Sequence, residues 1–200
     1  MLNLPKTLFS TPDQAFTWAL NALRSAIPDT QDPWQHFALN YQPSIPEASG
    51  PSLKTVVLRG MDEADAHFSF YTDTRSAKWA AFKAKPDFQA LFYCPQRWVQ
   101  LAVRGTVTLE MQTPLALAAF EALTPAQRQA YTSRAAPGSA FIGDSLIPLK
   151  QDMPSLSAQH FGIVKCHMQA ADFVSLHRQG HQRIVVRWHR GKALANWIVP

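Results

Sequence analysis

The stretch FYTDTRSAKW, residues 70–79, sets Thr72, Thr74, Arg75, Ser76 and Lys78 where an aromatic segment gives way to a short amphipathic one. Three hydroxyls and two cations at the start of a helix suit an anion, a phosphate above all, because free backbone N–H groups and the positive end of the helix dipole point the same way. The same residues also serve as a solvated turn with an N-cap. Taken alone, this stretch leaves both readings standing. In LKTVVLRG, residues 53–60, the apolar run Val56, Val57 and Leu58 is bracketed by Lys54 and Arg59. A flat apolar ligand could lie along such a strand with cations meeting charge at its ends, or the two cations could simply reach solvent. Gln100, on the polar face of a strand, offers a donor and an acceptor suited to the edge of a heterocycle, or to a cross-strand neighbour.

Other chemistries find less support. Cys94 and Cys166 match no zinc or redox spacing, which favours free thiols in a reducing compartment. Cys166-His167 with His160 lacks further ligands at metal spacing, so no metal is expected. The histidines at 160, 167, 177 and 181 hold no spacing that demands haem ligation. There is no Ser-His-Asp or paired-carboxylate arrangement. His181 is the best titratable candidate for a substrate contact, against the alternative of a surface histidine.

The elements that must position these residues are mostly strands. Thr11-Pro12-Asp13-Gln14 reads as a capping box opening a helix over about 11–27, with Phe16, Ala19, Leu20, Leu23 and Ile27 on one face. Thr113-Pro114 and Thr124-Pro125 open a helical pair over about 113–134. Residues 98–110 alternate with period two and give the most secure strand. Further strands are expected at 35–42, 53–60, 66–72, 87–94, 160–168, 182–189 and 193–199, and a helix at about 76–84. Pro43 to Pro51 and the MDEAD segment read as connections, and Ala135 to Ser157 as a long irregular crossing. Strands in succession with grouped helices predict an antiparallel barrel with peripheral helices, a mainly β (α+β) chain forming a single domain over 1–200.

The chain has 200 residues, 46% hydrophobic and 16% charged, enough to bury a real core. A net charge of +5 permits an anionic partner, but the 19 Lys and Arg are scattered without a basic run, which does not favour nucleic acid. No apolar run approaches the roughly 18 residues of a membrane span, and no signal peptide is seen. A cytoplasmic protein with no membrane partner is expected.

LKTVVLRG, FYTDTRSAK, FYCPQRWVQLAVRG and then GHQR ahead of a Trp-containing terminus that ends in Pro stand in the order and spacing of the pyridoxamine 5'-phosphate oxidase-related flavoproteins. From about residue 34 onward the chain resembles that family, most nearly its shorter FMN-binding branch, the Alr4036 type. The resemblance implies an FMN-binding split β-barrel, a homodimer with FMN in clefts between subunits, and a small-molecule substrate. It implies that Lys54, Thr55, Val56, Val57, Leu58 and Arg59 line the flavin and phosphate. It places Tyr71 and Thr72 on the cofactor, Arg75, Ser76 and Lys78 at the phosphate, and Gln100 near the flavin ring. Arg183 matches the arginine of a His-Asp-Arg element, here His181-Gln182-Arg183.

The departures lie on the substrate side. The vitamin B6 oxidases have an Arg before the phosphate-binding lysine, where this chain has Ala77. Their Arg-Leu-His substrate element aligns with Gln179-Gly180-His181, leaving only the histidine. LTPAQRQAY replaces their Arg- and Ser-bearing helix, with Arg128 and Tyr131 at other offsets. The expectation is an FMN-dependent oxidoreductase on a small organic substrate, with a non-catalytic flavin-binding or storage protein as the alternative.

Overall fold

The computed structural model describes residues 3, 8–43, 52–62, 66–133, 135–139, 157–177 and 179–200. Helix α1 spans Pro12–Ala26 and opens on Thr11, whose hydroxyl accepts from the Gln14 amide at 3.2 Å. The Gln14 side chain reaches back to the Ser10 N–H rather than to that of Thr11, so the expected capping box is shifted by one residue. Phe16, Ala19, Leu20 and Leu23 are buried, as their spacing requires.

Among the described residues nine antiparallel strands form one sheet in the order β2-β1-β5-β6-β7-β4-β3, with β8 added beside β7 and β9 beside β8. They are β1 His36–Tyr41, β2 Leu53–Val57, β3 Gly60–Asp62, β4 His67–Asp73, β5 Asp87–Cys94, β6 Val99–Met111, β7 Phe161–His177, β8 Gly180–His189 and β9 Lys192–Ile198. Helix α2, Ala77–Ala84, follows β4; α3, Pro114–Glu121, and α4, Pro125–Gln129, follow β6.

Two strands differ from expectation. The strand expected over 53–60 is two pieces, because Leu58 donates to the Gln35 carbonyl at 2.7 Å while the next amide, Arg59, donates to Ser69 at 2.8 Å. The chain thereby passes from the β1 edge to the β4 edge, and that handover closes the sheet into a barrel. The strand expected to stop at 168 continues to 177. Its pattern breaks because Gly105 faces Met168 while Arg104 faces Ala170, leaving Gln169 as the extra residue of a bulge. A Cβ on Gly105 would stand 1.9 Å from the His167 carbonyl oxygen, so only glycine fits this crossing. Beyond the bulge β7 exchanges its neighbour β4 for β8. The helical pair is also shorter than expected, and most of the 135–157 crossing and of the 43–51 connection lies outside the described residues.

The barrel interior is aromatic. Phe37 stacks on Phe92 at 4.6 Å and meets Phe68 edge-on at 5.3 Å. Arg97 is 5% exposed and makes a two-pronged contact with Asp32 at 2.8 and 3.0 Å, with its guanidinium over the rings of both Trp18 and Trp34. A smaller cluster, Phe120, Leu123, Phe161 and Ile163, forms where α3 covers the sheet.

Candidate functional site

Ser76 is the N-cap of α2, yet its hydroxyl makes no bond to the helix. It turns instead to the Thr72 hydroxyl at 3.2 Å, which accepts from Lys78 Nζ at 3.1 Å. An eight-residue helix therefore opens without a side-chain cap, beside two hydroxyls and an ammonium. Burial lowers the Lys78 pKa, and the nearby Lys54 lowers it further, against a smaller opposing pull from Asp73. No carboxylate among the described residues pairs directly with Lys78. Two cations and two hydroxyls around an uncapped helix start form a seat with the chemistry of a phosphate site.

Arg75 is engaged by protein partners. Its guanidinium grips Asp73 at 2.6 and 3.0 Å and donates to the Ser133 carbonyl at 3.0 Å, and the Asp73 contact raises its pKa. Sequence reasoning took Arg75 as a phosphate contact and passed over Asp73, two positions earlier, as its partner.

Tyr71 lies on β4, whose partners are β3 and β7, and the Arg59 guanidinium stands 5.8 Å from its ring centroid. Arg59 also acts on Tyr131, which packs edge-on against Phe161 at 5.0 Å. Burial raises the pKa of both tyrosines, with Arg59 partly offsetting the rise. Tyr131 had been set aside on its offset in the sequence; its aromatic partners bring it to the site. Arg59 and Tyr71 line a cavity of about 250 Å³ with Ser69, Lys165, Leu115 and Ile163. A larger trough of about 450 Å³ along Asn40, Gln89 and Arg104 contains none of the expected residues.

The remaining residues sit elsewhere. Gln100 and Arg183 both face Val174 of β7, and Tyr71 faces Ile163. Those positions are eleven residues apart, about 36 Å along a straight strand and less across the bulge. Thr55 lies on the row Ala38, Leu91, Ala102, Asp172, on the same sheet face as Gln100 but several strands around the barrel. Arg183 is held by Asp172 at 2.7 and 3.0 Å, which raises its pKa. His181, two residues before it on the same face, is exposed. One chain thus presents the expected residues in two groups, the seat with Arg59 and Tyr71, and the row of Gln100 and Arg183.

Residues 17–111 match the family model for the pyridoxamine 5'-phosphate oxidase, FMN-binding domain. The match covers just under half of the chain. The matched segment runs from α1 to the end of β6 and carries the Lys54–Arg59 segment, the seat and Gln100. A pyridoxamine 5'-phosphate oxidase-related, FMN-binding protein from Nostoc punctiforme superposes with a TM-score of 0.70 at 20% identity, covering 97% of this chain and 100% of that one. PhzG from Burkholderia lata, solved in complex with tetrahydrophenazine-1-carboxylic acid, gives 0.70 at 14% identity, with 97% and 98% covered. A putative general stress protein 26 from Jannaschia gives 0.51 at 10% identity, with 82% and 79% covered. At such identities the likeness is one of fold, and that fold is the mainly antiparallel split barrel of the pyridoxamine 5'-phosphate oxidase type. No curated protein sequence matches the chain. Among the described residues no helix is long and apolar enough to cross a membrane.

Proposed function

We propose that the protein binds FMN and works as an FMN-dependent oxidoreductase on a small organic substrate, as a homodimer. The observation that carries this reading is the seat of Thr72, Ser76 and Lys78 at the uncapped start of α2, within a segment matching an FMN-binding domain family. Lys78, Ser76 and Thr72 hold the phosphate, with Lys54 as a second cation. Thr55, Val56, Val57 and Leu58 flank the cofactor, and Arg59 with Tyr71 stands at the far end of that segment. Bound FMN supplies hydride or electron transfer, while the protein supplies position and electrostatics.

The division of the expected residues into two groups supports the homodimer reading. Gln100 and Arg183 pair with Val174 of β7 and Thr72 with Gly162, on opposite sides of the bulge, and on this reading a second copy brings its Gln100 and Arg183 to the ligand held at Thr72. Tyr93, opposite Gln100, is 47% exposed, and Leu91, Leu176 and Ile198 are also exposed large apolar residues, a surface suited to that contact. His181 then reaches the substrate side of the cleft. A flavin-holding protein without turnover is the second reading. It is favoured by the contrast between a formed phosphate seat and a substrate element whose only remaining match is His181.

The test is the visible spectrum of the desalted protein, then anaerobic reduction by NADH or NADPH and oxygen uptake with pyridoxamine 5'-phosphate. Flavin with reduction and uptake supports the enzyme. Flavin with neither supports the holder. A colourless protein that refuses added FMN overturns both.

A further inference from the structure

Residue 182 separates the two β8 residues of the proposed site, His181 and Arg183, and its side chain points to the opposite face of the sheet. There the Gln182 amide closes a ring with one backbone residue near the N-terminus. The Phe9 N–H donates to Gln182 Oε1 at 2.8 Å, and Gln182 Nε2 donates to the Phe9 carbonyl at 2.8 Å. The Phe9 side chain is 8% exposed and packs on Trp18 and Phe173. Leu8 lies 3.8 Å from where a Cβ on Gly180 would stand, at the turn into β8.

We infer that Gln182 is a positioning residue: it ties the segment before α1 to β8 and thereby fixes the strand that presents His181 and Arg183. The chemistry of the side chain is specific to this task. A primary amide donates and accepts at once, as an extended backbone residue does, whereas a carboxylate only accepts. The aspartate of the family's His-Asp-Arg element could take the Phe9 N–H but would repel its carbonyl. With Gln182 the backbone of Phe9 is tied to β8 on the face opposite His181 and Arg183, held by two hydrogen bonds and by the packing of the Phe9 ring on Trp18 and Phe173. The inference rests on the flavin reading, since its consequence is read in FMN binding.

The test is Gln182→Glu, an isosteric change with a built-in control. Ionised, the glutamate faces the Phe9 carbonyl and opens one side of the ring. Protonated, it donates to that carbonyl and restores it. Two quantities are measured between about pH 3.5 and 8, a range that spans the ordinary glutamate value of about 4.3: hydrogen exchange at the Phe9 amide and the FMN dissociation constant, each as a ratio of variant to wild type. The expected result is loss of Phe9 protection and FMN binding weakened about five- to tenfold at pH 8, with both ratios returning toward one as the glutamate protonates. A flat FMN ratio near one, with the wild type binding FMN, overturns the positioning role even where Phe9 loses protection or the melting temperature falls. Wild-type protein that binds no FMN overturns the flavin reading itself and is seen before any variant is made. Gln182→Ala, with no charge to titrate, should show weakened binding that does not recover at low pH.

Discussion

At the scale of single residues, Lys78 and Arg75 look alike in sequence and differ in structure. Among the described residues Lys78 has a hydroxyl partner and no paired carboxylate, so an arriving phosphate gains a charge-assisted hydrogen bond. Lys78→Ala should weaken FMN binding by about 10- to 100-fold in a fluorescence titration. Arg75 is already bound to Asp73 and to the Ser133 carbonyl, and Arg75→Ala should weaken it by about threefold or less; equal losses in the two variants would contradict this division. The lowered pKa of Lys78 adds a pH signature. The unfolded chain keeps this proton to the ordinary lysine value of about 10.4, and the folded, ligand-free chain releases it at lower pH. Stability therefore rises with pH across that window. Phosphate affinity does the opposite, because the phosphate needs the proton in place. FMN affinity should fall as pH climbs through the window, and Lys78→Arg should remove that fall.

At the scale of elements, the strands were legible wherever side chains alternate over one regular partner, as in β5 and β6. They were not legible where the backbone changes partner. Nothing in the composition of Leu58-Arg59 announces that adjacent amides bond different strands, or that Gln169 is the extra residue of a bulge. Both are decided by neighbours distant in sequence. The site followed the same rule. Lys78, Ser76 and Thr72 lie on one turn, so local reading found them together, whereas the Arg59 and Tyr131 juxtaposition depends on the packing of Phe161. Gly162 tests the contact between β7 and α2. A Cβ there would meet the Trp79 ring at 2.5 Å, so Gly162→Ala should cost about 1–3 kcal/mol of stability and disturb the helix that opens on the seat. Asp32→Ala, which strands a buried guanidinium, should cost about 3–5 kcal/mol. Thermal or urea unfolding checks both, and a shift below about 0.5 kcal/mol in either would refute the packing described.

At the scale of the whole molecule, the proposed function has the two groups of expected residues meet on one ligand shared by two chains. Tyr93→Lys places a charge opposite Gln100 on the exposed face without touching the core. It should convert a dimer to a monomer in sedimentation and weaken FMN binding together, although residue 93 is no part of the phosphate seat. Monomer with full FMN affinity would separate assembly from the cofactor. The most direct measurement is titration of desalted protein with FMN, followed by flavin fluorescence, for the wild type and Lys78→Ala side by side. The expected result is saturable binding of one FMN per chain by the wild type and at least tenfold weaker binding by Lys78→Ala. No binding by the wild type, or equal affinity in the two proteins, would contradict a flavin phosphate seated on Thr72, Ser76 and Lys78.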